Sequence, residues 1–435
     1  MNKFNSILFL IAMLISKLNF AFAEQANISE IIKLYNESKY QKVIDLLSAE
    51  NPEELTTEEL YYLGLSNSQV KNIMGAASAF EKCLKNDSSK ISYRLNYARA
   101  LNSIGRANEA ITNYDFIIKK DSANTAALYD LGFIYTGKKD FSRAKKIFTK
   151  LSELNKKDFL SAYYLALCAY QTLATCEDTL RVNELIFNSR LLNFEYIPSA
   201  ELAGVFDLNR NNFARAVVSY SLLTKLNPEN AEYFYRTGFC YEKMKDYDSA
   251  VVFFTKAVKI DSTVANYYSH LGYAHFMLEK YDLSLSAYLK AAVLDPENSA
   301  SYLNIGLVYE KMDSLDLAGA YYEKALQFYP YSKIVYTAEK LIAVNYSLKN
   351  YEQVQVLCDQ VLALAPKSVQ SLFYSACSFD AAGKNELALE RYKKAADQLK
   401  SDERFKNEYK YVTAQIEKIK SRDKERKFWE GKINE

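Results

Sequence analysis

A spacing of 34 residues recurs along much of this 435-residue chain and restricts its fold more than any other feature. Tyr268, Leu271, Gly272 and His275 precede Ser284, Tyr288, Ala291 and Pro296. Thirty-four residues later stand Tyr302, Ile305, Gly306 and Tyr309, then Ala318, Tyr322, Ala325 and Pro330. Thirty-four earlier are Phe234, Thr237, Gly238 and Tyr241, then Ala250, Phe254, Ala257 and Ser262. The first four positions fall at i, i+3, i+4 and i+7 of one helix, and the next three at i, i+4 and i+7 of a second. Small residues mark where the two helices approach most closely, and aromatic rings fill the space beside them. The closing Pro or Ser starts a turn. One such hairpin cannot bury its apolar stripes alone, so neighbours must stack. With only 12 Gly and 6 Pro, little in the chain interrupts long helices.

The pattern resembles the tetratricopeptide repeat, which carries aromatic, Leu, Gly, Tyr, Ala, Phe, Ala and Pro at these places of a 34-residue unit. Units are expected to start at Thr57, Ile91, Thr125, Phe159, Ile197, Ala231, Ala265, Ser299, Val335 and Val369, giving an array over 57–402. Residues 24–56 read as a degenerate opening unit, with Tyr40, Val43 and Leu47 on its second helix. The resemblance implies an all-α fold, an α-solenoid superhelix of ten to eleven helix-turn-helix units. Residues 403–435 are expected to supply a charged capping helix and tail, with an apolar stripe of Phe405, Tyr409, Val412, Ile416 and Ile419. Two units break the period. The unit from Phe159 has its excess placed near Thr172–Thr179, between its helices, and the one from Ser299 around Pro330, Tyr331 and Ser332.

The first 23 residues have another character. Lys3, the apolar run Ile7–Ile15 and the small residues Ala21 and Ala23 form the layout of a secretory signal peptide cut between Ala23 and Glu24. The apolar run is too short to span a bilayer without including Lys17, and no later stretch reaches spanning length. An exported chain, periplasmic or extracellular, with no membrane span after cleavage is the expectation. Losing Lys3 and Lys17 takes the 55 basic residues to 53, equal to the 53 acidic ones. A nucleic-acid binder needs a basic field, and this composition provides none.

No catalytic constellation is legible, so the chain reads as no enzyme, with no cofactor. No Gly-rich phosphate loop, nucleophile elbow or C-x-x-C is present. Its two histidines, His270 and His275, stand five apart rather than the four that a helical metal pair requires, so no metal site is expected. His275 takes the position of a core Tyr, and His270 lies toward the inner face of its first helix. Cys83 and Cys358 read as small core fillers. Two disulfides are conceivable in an oxidising compartment, Cys168–Cys176 and Cys358–Cys377.

The family resemblance also implies a concave face lined by the second, fifth, sixth, ninth and twelfth residues of each unit. From the N-terminal half these are Tyr61, Asn96, Arg99, Tyr129, Asp130, Phe133, Tyr163 and Tyr164. From the C-terminal half they are Tyr235, Arg236, Phe239, Tyr273, Asn304, Tyr336, Phe373 and Tyr374. Rings with a polar tip suit a groove for a peptide or protein partner, and equally for a sugar chain. The implied function is an interaction scaffold in an envelope or secretion assembly, with polysaccharide export or glycan binding as the alternative. The Lys and Asn pattern that grips a chaperone's acidic C-terminus is not present in three consecutive units.

Overall fold

The computed structural model describes residues 28–49, 54–328, 334–400 and 405–433. The leader, residues 1–23, and the segment Pro330, Tyr331 and Ser332 lie outside the described residues. Among the described residues every regular element is a helix. Two compact units divide the chain between Ala203 and Gly204.

Unit 1 begins with α1 (residues 28–36) and α2 (Tyr40–Ser48). Then come the pairs α3 (Thr57–Gln69) with α4 (Ile73–Asn86), and α5 (Ile91–Ser103) with α6 (Ala107–Lys120). They are followed by α7 (Thr125–Gly137) with α8 (Phe141–Leu154), and α9 (Phe159–Gln171) with α10 (Cys176–Leu192). The division falls within α11 (Ile197–Asn209). Unit 2 continues with α12 (Phe213–Leu226), α13 (Ala231–Lys243), α14 (Tyr247–Ile260), α15 (Ala265–Met277) and α16 (Tyr281–Leu294). It ends with α17 (Ser299–Lys311), α18 (Leu315–Gln327), α19 (Ile334–Ser347), α20 (Tyr351–Leu364), α21 (Val369–Ala381), α22 (Asn385–Leu399) and α23 (Lys406–Ile433). From α2 to α10, and from α12 to α23, each helix packs on the one that follows it. This is the solenoid arrangement that the periodicity requires.

Most hairpins are closed by one steric exchange, though in α9–α10 Val182 stands where the ring would be. The eighth residue of a first helix faces the twenty-fourth of the repeat, an aromatic ring on the second helix. A Cβ added at Gly132 would lie 2.7 Å from Phe148, at Gly238 2.8 Å from Phe254, and at Gly306 2.5 Å from Tyr322. Tyr322, Phe254 and Phe148 are in turn completely buried. In the hairpin α19–α20 the sizes are reversed: Ile342 stands at the eighth position and Cys358 at the twenty-fourth, both fully buried. The combined volume, more than either residue type, is what the core demands.

Turn chemistry is equally regular. Lys71, Lys139, Asn211, Lys245, Glu279, Asp313 and Lys349 all have φ between 57° and 64°, and each is the fifteenth residue of its repeat. Gly105 and Gly383 hold the same place with φ of 84° and 72°. After α7, the Asp140 amide donates to the Tyr135 carbonyl at 2.9 Å, wrapping the helix end in a Schellman turn. Helix starts are capped by side chains. At α3, the Thr56 amide donates to Glu59 Oε2 at 2.8 Å while the Glu59 amide donates back to Thr56 Oγ1 at 3.2 Å. Asp140 and Asp246 accept from the third amide of α8 and α14.

Two expectations are corrected. The excess of the repeat from Phe159 does not form an extended loop: α10 has 17 residues where α8 has 14, so most of it lengthens the second helix. Leu180, Phe187 and Leu191 are exposed on α10. In α23, Val412, Ile416 and Ile419 are buried against Leu372 and Leu399, closing the end of unit 2. Phe405 and Tyr409 stay exposed, because the packed face of α23 begins only at Val412.

Candidate functional site

Side chains at the sixth position of a first helix meet the ninth or twelfth position of the preceding one. This follows from the stacking, since neighbouring first helices run alongside each other and these positions share a face. In unit 1, Arg99 Nε donates to Asp130 Oδ2 at 2.7 Å, and Tyr114 Oη donates to the same oxygen at 3.4 Å. Around them Arg99, Asn102, Ser103, Tyr114, Asp130 and Phe133 line a groove of about 340 Å³. Arg99 and Phe133 are exposed on its rim.

Beside that groove runs a row of rings. Phe133 lies 5.7 Å from Tyr129 and 5.0 Å from Tyr164, and Tyr164 stacks on Phe148 at 4.9 Å. Tyr163 meets Tyr164 edge-on at 5.0 Å, and burial pushes its hydroxyl up to about 12. Tyr129 donates to Asp158. Nearer the N-terminus, Asn96 Nδ2 donates to Tyr61 Oη at 3.1 Å, while Tyr61 packs on Tyr93 at 4.9 Å. Thus Tyr61, Tyr129 and Tyr164 are half-buried packing rings, and Arg99 and Phe133 are the ones open to a partner.

Unit 2 repeats the theme with other chemistry. Tyr235 stacks on Tyr267 at 4.9 Å and accepts from Asn266 Nδ2 at 2.7 Å. Arg236 pairs with Glu232 at 2.7 Å along α13. Phe239 and Tyr235 flank His270, at 5.6 and 5.4 Å. His270 Nδ1 sits 2.6 Å from Glu242 Oε2, on a carboxylate whose side chain is 3% exposed. Burial alone would raise the Glu242 carboxyl, but hydrogen bonds and charge from His270 and Lys243 hold it below its ordinary value. Further along, Lys340 reaches Glu310 at 3.2 Å. Tyr273 and Tyr336 are exposed, and Asn304 is half-buried. Phe373 contacts Tyr374 at 5.6 Å and Tyr411 at 5.9 Å, beside a cleft of about 640 Å³ between α21, α22 and α23.

Sequence reasoning did not single out Asn102, Glu242 and Glu310, which line or pair within these first-helix faces. All occupy the twelfth position, one of the expected lining positions, but none is aromatic. A polar side chain at that position was the available signal. His275 is half-buried; burial, then Lys280, lowers its imidazole below the ordinary value.

The expected disulfides are not formed in the structure. Cys168, Cys358 and Cys377 are free, buried thiols, and the side chain of Cys176 lies outside the described residues. Cys377 instead meets Tyr392 Oη at 3.1 Å. Among the described residues no three His, Cys, Asp or Glu gather as metal ligands, and no helix is long and apolar enough to cross a membrane.

Serial helical hairpins, each covering the apolar face of the last, define an α-solenoid, an architecture of protein–protein interaction scaffolds. Two family models, both described as tetratricopeptide repeat, match the chain, one at residues 270–333 and the other at 125–158 and 231–263. Those three stretches of the chain are tetratricopeptide repeats. Comparison with curated proteins finds no match. Among solved structures, YrrB, titled a TPR protein with an unusual peptide-binding site, is 22% identical. That match covers 43% of this chain and 94% of YrrB, with a TM-score of 0.38. A tetratricopeptide repeat protein from Parabacteroides merdae is 14% identical over 58% of this chain and 98% of its own, with a TM-score of 0.41. Yeast Tom70 is 14% identical over 94% of this chain and 97% of its own, with a TM-score of 0.37.

Proposed function

We propose that this chain is a non-catalytic adaptor that docks a peptide or protein segment on the first-helix face of unit 1, in an assembly outside the cytoplasm. The observation that carries the reading is the rim pair Arg99 and Phe133 over the groove of Asn102, Ser103, Tyr114 and Asp130. An extended segment needs polar groups for its backbone and a ring for its side chains, and both stand here within one groove. Arg and aromatic residues also dominate the energetics of protein interfaces. Asp130 holds the guanidinium by its Nε, which leaves the terminal nitrogens of Arg99 to face a carbonyl or carboxylate. Support for the location is the leader pattern at Lys3, Ile7–Ile15 and Ala23.

The test pairs a binding measurement with a fractionation. Immobilised wild-type chain and the double variant Arg99→Ala with Phe133→Ala are exposed to envelope extract and to purified polysaccharides. A protein retained by the wild type and lost by the variant supports the reading. Retention of polysaccharide alone, abolished by Tyr163→Ala with Tyr164→Ala, replaces the protein partner with a glycan. N-terminal sequencing of the chain from cells should begin at Glu24; an intact leader on cytoplasmic chain would remove the proposed location.

A further inference from the structure

Two sockets built from the same repeat positions hold different side chains. In unit 1, Phe133 and Phe148 flank Tyr164, whose ring centre lies 5.0 Å from Phe133 and 4.9 Å from Phe148, and Tyr129 packs on both of them. In unit 2, the equivalent residues Tyr235, Phe239 and Phe254 surround His270, at 5.4, 5.6 and 5.6 Å. Another equivalent of His270 is Lys340, which faces Glu310 just as His270 faces Glu242. His270 therefore combines an aromatic socket with a carboxylate partner. Of those three side chains, the imidazole is the one that can present an outer ring nitrogen either as acceptor or as donor.

The surroundings fix which nitrogen is used. Glu242 is buried and takes Nδ1 of His270 on one oxygen and Lys243 Nζ on the other, at 2.6 and 3.0 Å. Ionised, that carboxylate only accepts, so the ring must carry its proton on Nδ1. Nε2 is then the free polar atom of a side chain that remains 22% exposed, and among the described residues it has no hydrogen-bond partner. Other titratable groups around the pair are Tyr235 on α13, Tyr273 on α15 and Tyr288 on α16, all of which feel the Glu242 charge. All three are neutral phenols near pH 7, so Lys243 and Glu242 set the local charge.

We propose that Glu242 and His270 form a proton-operated recognition point on the first-helix face of unit 2, with His270 Nε2 accepting hydrogen bonds when the ring is neutral and donating them when it is protonated. Above the imidazole's titration the point suits a backbone or side-chain N–H of a bound segment. Below it, the same atom suits a carbonyl or carboxylate. The inference deepens the reading of first-helix faces as docking surfaces and rests on it for its consequence. Its test uses the unliganded chain, so its failure leaves the unit 1 groove untouched.

The test is made by long-range 1H–15N NMR of the imidazole rings in the full chain, which has two histidines. His275→Tyr, which restores the residue type found at Tyr241 and Tyr309, leaves His270 as the sole signal. The expected result is a protonated Nδ1 and an unprotonated Nε2 at high pH, with Nε2 gaining a proton as pH falls from about 8 to 5. Glu242→Leu should release this preference and make the Nε2–H tautomer predominate. A neutral wild-type ring protonated on Nε2, or an Nε2 whose protonation is constant over that range, overturns the proposal. If Glu242→Leu does not fold, the wild-type tautomer and its pH response still decide.

Discussion

The ring of Tyr322 occupies the space that a Cβ on Gly306 would need, with Cε1 only 2.5 Å from that position. Tyr322 cannot easily withdraw, since it is fully buried and donates to Glu310 Oε2 at 2.6 Å. Gly306→Ala should therefore destabilise unit 2 by about 1–3 kcal/mol through overpacking, although alanine favours helix. Urea unfolding followed by circular dichroism measures it; an unchanged or higher midpoint contradicts the closeness of this contact.

The fifteenth residue of each repeat should respond in the opposite direction. Glu279 and Lys139 hold φ of 58° and 59°, which costs an L-residue about 1–2 kcal/mol. Replacing either with glycine relieves that strain but frees the unfolded chain, so a net gain of about 0.5–1 kcal/mol is expected. Gly383→Ala is the matching control, with φ of 72° and open space around it. It should lose a comparable amount. Thermal midpoints of the three variants provide the comparison.

The Glu242 carboxyl gives unit 2 a pH-dependent increment of stability. Its folded-state value lies below the ordinary one, held there against burial by His270 and Lys243. The increment is therefore fully present above the unfolded-state value of about 4.3 and is lost as pH falls through the lowered folded value. Glu242→Gln should cost more stability at pH 7 than at pH 4, measured as urea midpoints. Equal losses at both would show that the carboxylate charge contributes nothing.

Thiol chemistry offers another check. Burial pushes Cys83, Cys240 and Cys358 up to about 12 and Cys168 up to about 11. Cys377 is raised by the same cause. In a Cys176→Ser background, the folded chain should hardly react with a thiol-specific disulfide reagent at pH 8, and denaturant should release all five thiols. Rapid reaction of the folded chain would mean that these sites open readily.

Much of the architecture is legible in the sequence because one physical event, a small residue against a ring, recurs at fixed spacing. Gly272 with Tyr288 and Gly306 with Tyr322 reveal a hairpin without any knowledge of its neighbours. What is hidden depends on neighbours. Whether Tyr164 faces solvent or stacks on Phe148 is settled by the adjacent repeat, so an aromatic residue at a lining position does not by itself mark a binding surface. Similarly, nothing in the sequence near His270 announces Glu242, 28 residues earlier and one helix row away. The turn residues were concealed differently. Lys139, Glu279 and Lys349 carry no left-handed signature in their side chains, and the hydrogen bonds of the helix end impose it.

The reversed pair Ile342 and Cys358 bears on how such an array can change over time. A first helix transplanted from α19 onto α18 would set a branched side chain against Tyr322, and the reciprocal graft would leave Cys358 opposite a void. Lock and key thus belong to the same hairpin. Duplication or shuffling that moves whole hairpins keeps them matched, whereas a crossover inside the three-residue turn would mate the wrong halves. Such a chain can lengthen freely by entire modules while its individual helices stay poor currency for exchange.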